Sequence, residues 1–266
     1  MNKHTQLTPG LAAGGTILVY IVASLVCGFL AGVILSYASK ESAAENLFNV
    51  SNVLLMLIVC PIARDFLKRA AIWRWGSGSG PLILKHTVSV VVIMYLYNMV
   101  LFGVFQIVSA QRFAEETLDQ SGIGFSGNLS LQVIGCIIAA PLVEEMVFRG
   151  AIFGGLREKK GFMFSAVVSS LIFGILHGLG LYALIGFAAG FLLCAAYEAT
   201  KNMLVPMLIH ISNNGIALLS SDFSFLNGPD FSEMTVENKA LLAVLTVILI
   251  GCVYWYVRQF RKDRQL

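Results

Sequence analysis

Apolar residues fall into eight blocks along this chain, at about 12–37, 47–63, 86–109, 129–156, 161–178, 180–199, 203–220 and 239–257. A helix needs about 20 such residues to cross the hydrocarbon layer of a bilayer, with slack for tilt. The second block is short and interrupted by Pro61. The pattern predicts an all-α, polytopic membrane protein of about eight transmembrane helices. One polar island breaks it. Glu144-Glu145-Met146-Val147-Phe148-Arg149 lies in the fourth block, where nothing else from Leu129 to Leu156 is charged. A charge near the bilayer centre costs between ~3 and ~10 kcal/mol, depending on how it is measured, so a functional site is the default reading of such a group. An internal salt bridge that only holds a bundle together is the structural alternative.

Composition supports the membrane reading. The chain is 57% hydrophobic and 12% charged, with a mean hydropathy of +0.79, where soluble domains carry roughly 25% charged residues. The net charge of +3 hides an asymmetry. With the N-terminus inside, inner segments hold 14 of the 18 basic residues, and outer segments hold only Lys40, Arg112 and Lys239. Arg149 lies within the membrane. The positive-inside rule then places both termini in the cytoplasm, as a multi-pass protein of the plasma membrane. Basic residues here are topology signals, and nothing supports nucleic-acid binding. The first apolar run exceeds a signal-peptide core and lacks a cleavage site, so it reads as a retained helix. The five cysteines lie far apart within the spans and read as small buried hydrophobes.

No internal repeat or soluble domain is visible, so residues 1–266 read as a single membrane domain. Trp73, Arg74 and Trp75 suit an interfacial anchor beside the flexible Gly76–Pro81 loop. The acidic segment from Ser221 to Asn238, with Phe223, Phe225 and Phe231, reads as a solvated outer loop; covering a site is the alternative. Two GxxxG patterns, Gly28 to Gly32 and Gly186 to Gly190, read as helix packing.

Around the island, Glu145 and Arg149 stand four apart with the acid first, the favourable order for a pair on one helix face. Glu144 is offset by about 100°, so Arg149 cannot neutralise both acids equally. Arg149 would hold Glu145 ionised, leaving Glu144 freer to exchange a proton. Pro141, one turn upstream, is expected to kink the helix and free backbone groups near the acids. His4 and His86 sit at segment ends and need no special role. His177 ends the fifth block, and His210 lies midway along the seventh with Asn214 one turn on. Peptide hydrolysis needs a base for water and donors for the oxyanion. Glu144 with His177 can supply the first, and His210 with Asn214 the second. Glu144, His177 and His210 are equally candidate ligands for a divalent metal such as zinc, which would activate water itself. HExxH is absent.

These residues resemble the CAAX-protease and bacteriocin-processing family of intramembrane proteases, also called the Abi family. Its pattern is a glutamate pair, three residues and an arginine, then FxxxH, then HxxxN. Here the matching positions are Glu144-Glu145 to Arg149, Phe173 to His177, and His210 to Asn214, within a core of about 130–220. The flanking Ala140-Pro141, Phe148-Arg149-Gly150 and Tyr197-Glu198-Ala199-Thr200-Lys201-Asn202 match too. The resemblance implies an eight-helix intramembrane endopeptidase bundle. It assigns water activation to Glu144 and His177, oxyanion stabilisation to His210 and Asn214, and supporting roles to Glu145, Arg149 and Phe173. It implies membrane-associated protein or peptide precursors as substrates, for bacteriocin or signal-peptide maturation or self-immunity. It leaves open whether a metal takes part. Two rivals from other classes are a proton-coupled transporter with Glu144, Glu145 and His177 as a relay, and a non-catalytic membrane scaffold. Transporters usually show paired repeats, and none is seen. A geometric tension also arises. At 1.5 Å per residue, His177 lies ~24 Å from the inner end of its helix and His210 only ~13 Å, so the helices must be tilted, offset or kinked to bring them together.

Overall fold

The computed structural model describes residues 6–36, 41–75, 78–109, 128–222, 229, 231 and 235–263. Eight helical rods account for nearly all of them, one on each apolar block. They are α1 (Pro9–Ser36), α2 (Glu41–Arg69), α3 (Gly80–Ser109), α4 (Leu129–Arg157), α5 (Phe162–Leu176), α6 (Leu181–Thr200), α7 (Leu204–Asp222) and α8 (Val236–Asp263). No strand occurs among the described residues. Six rods are long and apolar enough to cross a membrane, while α5 and α7 are shorter. Leu18, Leu25 and Phe29 on α1 and Val247 and Ile250 on α8 face outward, where lipid replaces water as the solvent. The chain is a multi-pass, all-helical membrane protein. Pro61 lies inside α2 without breaking it. Lys3, Lys40, Arg112, Arg264 and most of the 221–238 loop, including Phe223 and Phe225, lie outside the described residues.

At the centre stands α4. Every residue from Glu145 to Ala151 is buried, and the rod contacts α1, α2, α5, α6 and α7. It is not a uniform α-helix. Two π-helical stretches, Val133–Ala139 and Met146–Phe153, flank the α-helical Ala140–Glu145 that carries both acids. Pro141 opens that middle piece, and the N–H of Ala140 reaches back to the Gly135 carbonyl. The expected disturbance at the proline takes the form of a widened turn. Each extra residue per turn rotates the side chains that follow, and such turns recur at functional sites.

The tension in depth is resolved at the start of α7. Its preceding turn is recessed, with Asn202 and Met203 fully buried. The N–H of Met203 donates to the Arg74 carbonyl at 2.9 Å, so the α2–α3 linker covers the turn. His177 follows the 15 residues of α5, about 22 Å of rise, and His210 is ~9 Å into α7. A deep start for α7 brings the two level.

Small residues set the spacing of α5 against α6. A methyl group on Gly186 would stand 2.9 Å from the Gly174 Cα and 3.2 Å from the His177 Cβ, and one on Gly190 would meet Ser170 at 3.1 Å. The Gly186 to Gly190 pattern is thus a close helix contact. The Gly28 to Gly32 pattern is not, since a Cβ on either meets nothing within 4 Å. His86 also departs from expectation. It is fully buried between α3 and α8, with Nδ1 3.1 Å from the Tyr256 hydroxyl and Nε2 3.0 Å from Asp263. Lys85 bonds the same Asp263 oxygen. A buried histidine needs partners for both nitrogens, and Asp263, at the far end of the chain, supplies one.

Candidate active site

The middle of α4 presents Glu144 and Glu145 toward two different sets of partners, as their 100° offset requires. Glu145 is fully buried and points into protein. Its Oε1 lies 3.0 Å from Arg149 Nη1 and 2.8 Å from His210 Nδ1. Arg149 is equally buried, and its ion pair lacks hydrogen-bond alignment. None of its three nitrogens has an aligned acceptor among the described residues. The guanidinium rests instead on the Phe173 ring, 4.4 Å from the centroid, an arrangement in which the ring face attracts the cation.

Phe173 is the hub of the site. The same ring lies 4.1 Å from the His177 ring, 5.7 Å from the His210 ring and 5.0 Å from Phe148. One aromatic side chain therefore fixes the positions of the arginine and both histidines. The sequence offered Phe173 only as a letter in a motif; its contacts supply the physical reason for it.

The hydrogen bonds on the two histidines decide which nitrogen is available. His177 Nδ1 lies 2.7 Å from the Phe173 carbonyl oxygen, which can only accept, so Nδ1 donates. His210 Nδ1 likewise donates to the Glu145 carboxylate. Each neutral imidazole then turns an Nε2 lone pair toward Glu144. The distances from Glu144 Oε2 are 3.7 Å to His177 Nε2 and 3.8 Å to His210 Nε2. Both exceed hydrogen-bond length, and Glu144 Oε2 has no hydrogen-bond partner among the described residues. Polar groups held just beyond direct contact and converging from three helices suit one intervening water or one cation.

Fit to a cation can be tested on these contacts. Donor atoms of Glu144, His177 and His210 all lie within 4.8 Å of one another. A tetrahedral zinc shell with bonds of ~2.0–2.2 Å sets donors ~3.4 Å apart, so the trio needs to close by a few tenths of an ångström or more. Both histidines already carry the second-layer partner, a carbonyl or a carboxylate on Nδ1, that metal-ligating histidines have. The residues fit.

Asn214 follows His210 by one turn of α7. Its amide donates to the Cys136 carbonyl at 3.0 Å, in the first π stretch of α4. An asparagine amide has two N–H groups, and the second is uncommitted among the described residues.

Sequence reasoning passed over the ion cluster that a buried Glu198 builds with two more exposed cations at the basic end of the bundle. Arg157 binds Glu198 through Nε at 3.1 Å and Nη2 at 2.7 Å, and Lys201 Nζ is 2.8 Å from Glu198 Oε2. Glu198 in an apolar block was the available signal.

Residues 126–216 match the family profile described as type II CAAX prenyl endopeptidase Rce1-like, which bears out the resemblance read from the motifs. The chain is also similar to curated bacterial proteins. It is 38% identical over 89 residues to the membrane peptidase candidate YdiL of Bacillus subtilis (strain 168), covering 34% of this chain and 36% of that one. It is 32% identical over 152 residues to the membrane-embedded CAAX protease MroQ of Staphylococcus aureus (strain USA300), covering 54% and 60%. It is 31% identical over 100 residues to the UPF0177 protein YxdF of Lactococcus lactis, covering 35% and 54%. The matches thus span between about a third and three fifths of those relatives. No solved structure matches the chain.

Proposed function

We propose that this protein is an intramembrane endopeptidase that hydrolyses peptide bonds of membrane-associated protein or peptide precursors. The convergence of Glu144 Oε2 with two histidine Nε2 atoms carries the reading. Glu144 takes a proton from a water held between it and His177, and that water attacks the scissile carbonyl. Glu144 then passes that proton to the amine nitrogen as the C–N bond breaks. His210, oriented by Glu145, takes its second proton from solvent before the attack and keeps the buried carboxylate as its counter-charge. Its Nε2–H and the second Asn214 N–H face the developing oxyanion. Arg149 and Phe173 hold Glu145 and the two rings in register. Glu144, His177 and His210 are the side chains that would hold a divalent cation, and a bound cation would acidify the attacking water.

The catalytic core comprises about residues 130–220 of one membrane unit. Peptide precursors of the bacteriocin or signalling-peptide kind fit a small site inside a bilayer. Matching relatives named as a membrane peptidase candidate and a CAAX protease support the activity. The test against the transporter alternative uses purified protein reconstituted in vesicles with a peptide library outside and a pH-sensitive dye within. New peptide termini without a proton flux are expected. A Glu144-dependent flux without cleavage would overturn the proposal.

Metal dependence is a separate expectation. Imidazole ligands on separate helices and the amide of Asn214 favour a glutamate-activated water, so activity should survive extended chelation. About one equivalent of zinc, lost together with activity on chelation and restored with it, would show the cation to be required.

The charge asymmetry supports a plasma-membrane protein with both termini in the cytoplasm. Reporter fusions after Asn128 and after Lys160 should lie on opposite sides, because α4 crosses between them. The same side for both would contradict a membrane-spanning α4.

A further inference from the structure

Away from the acids, a cavity of about 180 Å³ opens at the basic end of the bundle. Its walls are the α2–α3 linker with Arg74, the end of α4 with Arg157 and Glu158, and the end of α6 with Tyr197, Glu198 and Lys201, three basic groups against two acids. Twelve described basic residues gather at this end: Arg64, Lys68, Arg69, Arg74, Lys85, Arg157, Lys159, Lys160, Lys201, Arg258, Arg261 and Lys262. Only Asp65, Glu158, Glu198 and Asp263 oppose them. The C-termini of α2, α4, α6 and α8 add about half a negative charge each, and the N-termini of α1, α3, α5 and α7 at the same end offset them, which leaves the field positive.

The cavity is built rather than incidental. Ala71 and Lys201, both non-glycine residues, hold φ of 56° and 50° at its edges, a left-handed conformation that costs energy outside glycine. The Met203 N–H to Arg74 carbonyl bond pins the linker across the α6–α7 turn. Glu198 is buried and occupied by Arg157 and Lys201. Arg157 spends three of its five N–H groups on Glu198 and the Lys160 carbonyl. Arg74 is exposed and has no ion-pair partner among the described residues. Beside it Trp73 and Trp75 stack with centroids 5.7 Å apart and planes within 4°, and tryptophans favour the headgroup level of a bilayer.

We propose that this cavity binds the phosphate headgroup of an anionic phospholipid, with Arg74 and the uncommitted N–H groups of Arg157 on the phosphate oxygens. A guanidinium fork suits a phosphodiester, and basic pockets between membrane helices take anionic headgroups. Charge complementarity and the flanking tryptophans select a lipid over a soluble anion. The site stands apart from the Glu144 group and does not depend on hydrolysis.

Native mass spectrometry of the full-length protein in mild detergent tests it, with phosphatidylglycerol and phosphatidylcholine of the same chains added in turn. One phosphatidylglycerol should be retained where no phosphatidylcholine is. Arg74→Gln should weaken that retention about fivefold or more, since one basic residue near a headgroup contributes about that factor. Lys201→Gln, on the opposite wall, should weaken it likewise, so either variant that folds decides. Arg258→Gln, at the same end but outside the cavity, should leave it unchanged. Equal retention of both lipids, no effect of the cavity variants, or an equal loss in Arg258→Gln would overturn the proposal. So would full displacement of the lipid by millimolar inorganic phosphate.

Discussion

Glu144→Gln should lower peptide hydrolysis by about 10²–10⁴-fold, the usual contribution of a positioned general base, while the protein stays folded and membrane-inserted. The substitution keeps shape and removes only the ability to take a proton. Glu144 makes no ion pair with Arg149; its contacts are the two histidine nitrogens at 3.7 and 3.8 Å. Its loss therefore strands no buried charge. Steady-state cleavage of a library-selected peptide, beside thermal unfolding of the same preparation, separates the two effects. Full activity in Glu144→Gln would remove the base from the account.

Arg149→Ala should act in the opposite way, through stability. Glu145 and Arg149 are both fully buried, and removing one partner of a buried pair costs about 3–5 kcal/mol because the other charge is left alone. The loss extends to the Phe173 ring, which the guanidinium covers at 4.4 Å, and through it to both histidines. Folded yield and unfolding temperature in detergent should fall sharply, and the surviving protein should be poorly active. A well-folded, fully active Arg149→Ala would show that the pair neither supports the fold nor orients His210.

The eight helices were legible because length and apolarity decide membrane crossing with little help from tertiary contacts. Charge placement within an apolar run made the Glu144 to Arg149 island legible in the same way. The pairing of Glu145 with Arg149 followed from helical spacing alone. Other features depend on residues far apart in sequence. The role of Phe173 needs three helices to be placed before it appears. The partner of His86 is Asp263, on the last helix. The two π stretches of α4 leave no clear mark in composition, since an extra residue per turn is set by packing and hydrogen bonding. Gly28 and Gly32 show the converse error, a packing pattern with nothing packed against it. Asn214 shows a third kind of gap. Its place one turn after His210 was readable, but its bond to the Cys136 carbonyl was not.

The central claim is that a water held among Glu144, His177 and His210 is delivered to a peptide bond. Cleavage by the purified protein in water enriched in ¹⁸O tests it most directly, with the products read by mass spectrometry. The account predicts new peptide termini from the wild type, one heavy oxygen in each new carboxylate, and loss of both in Glu144→Gln. Absence of new termini from the wild type, or equal labelling in the two proteins, would contradict it.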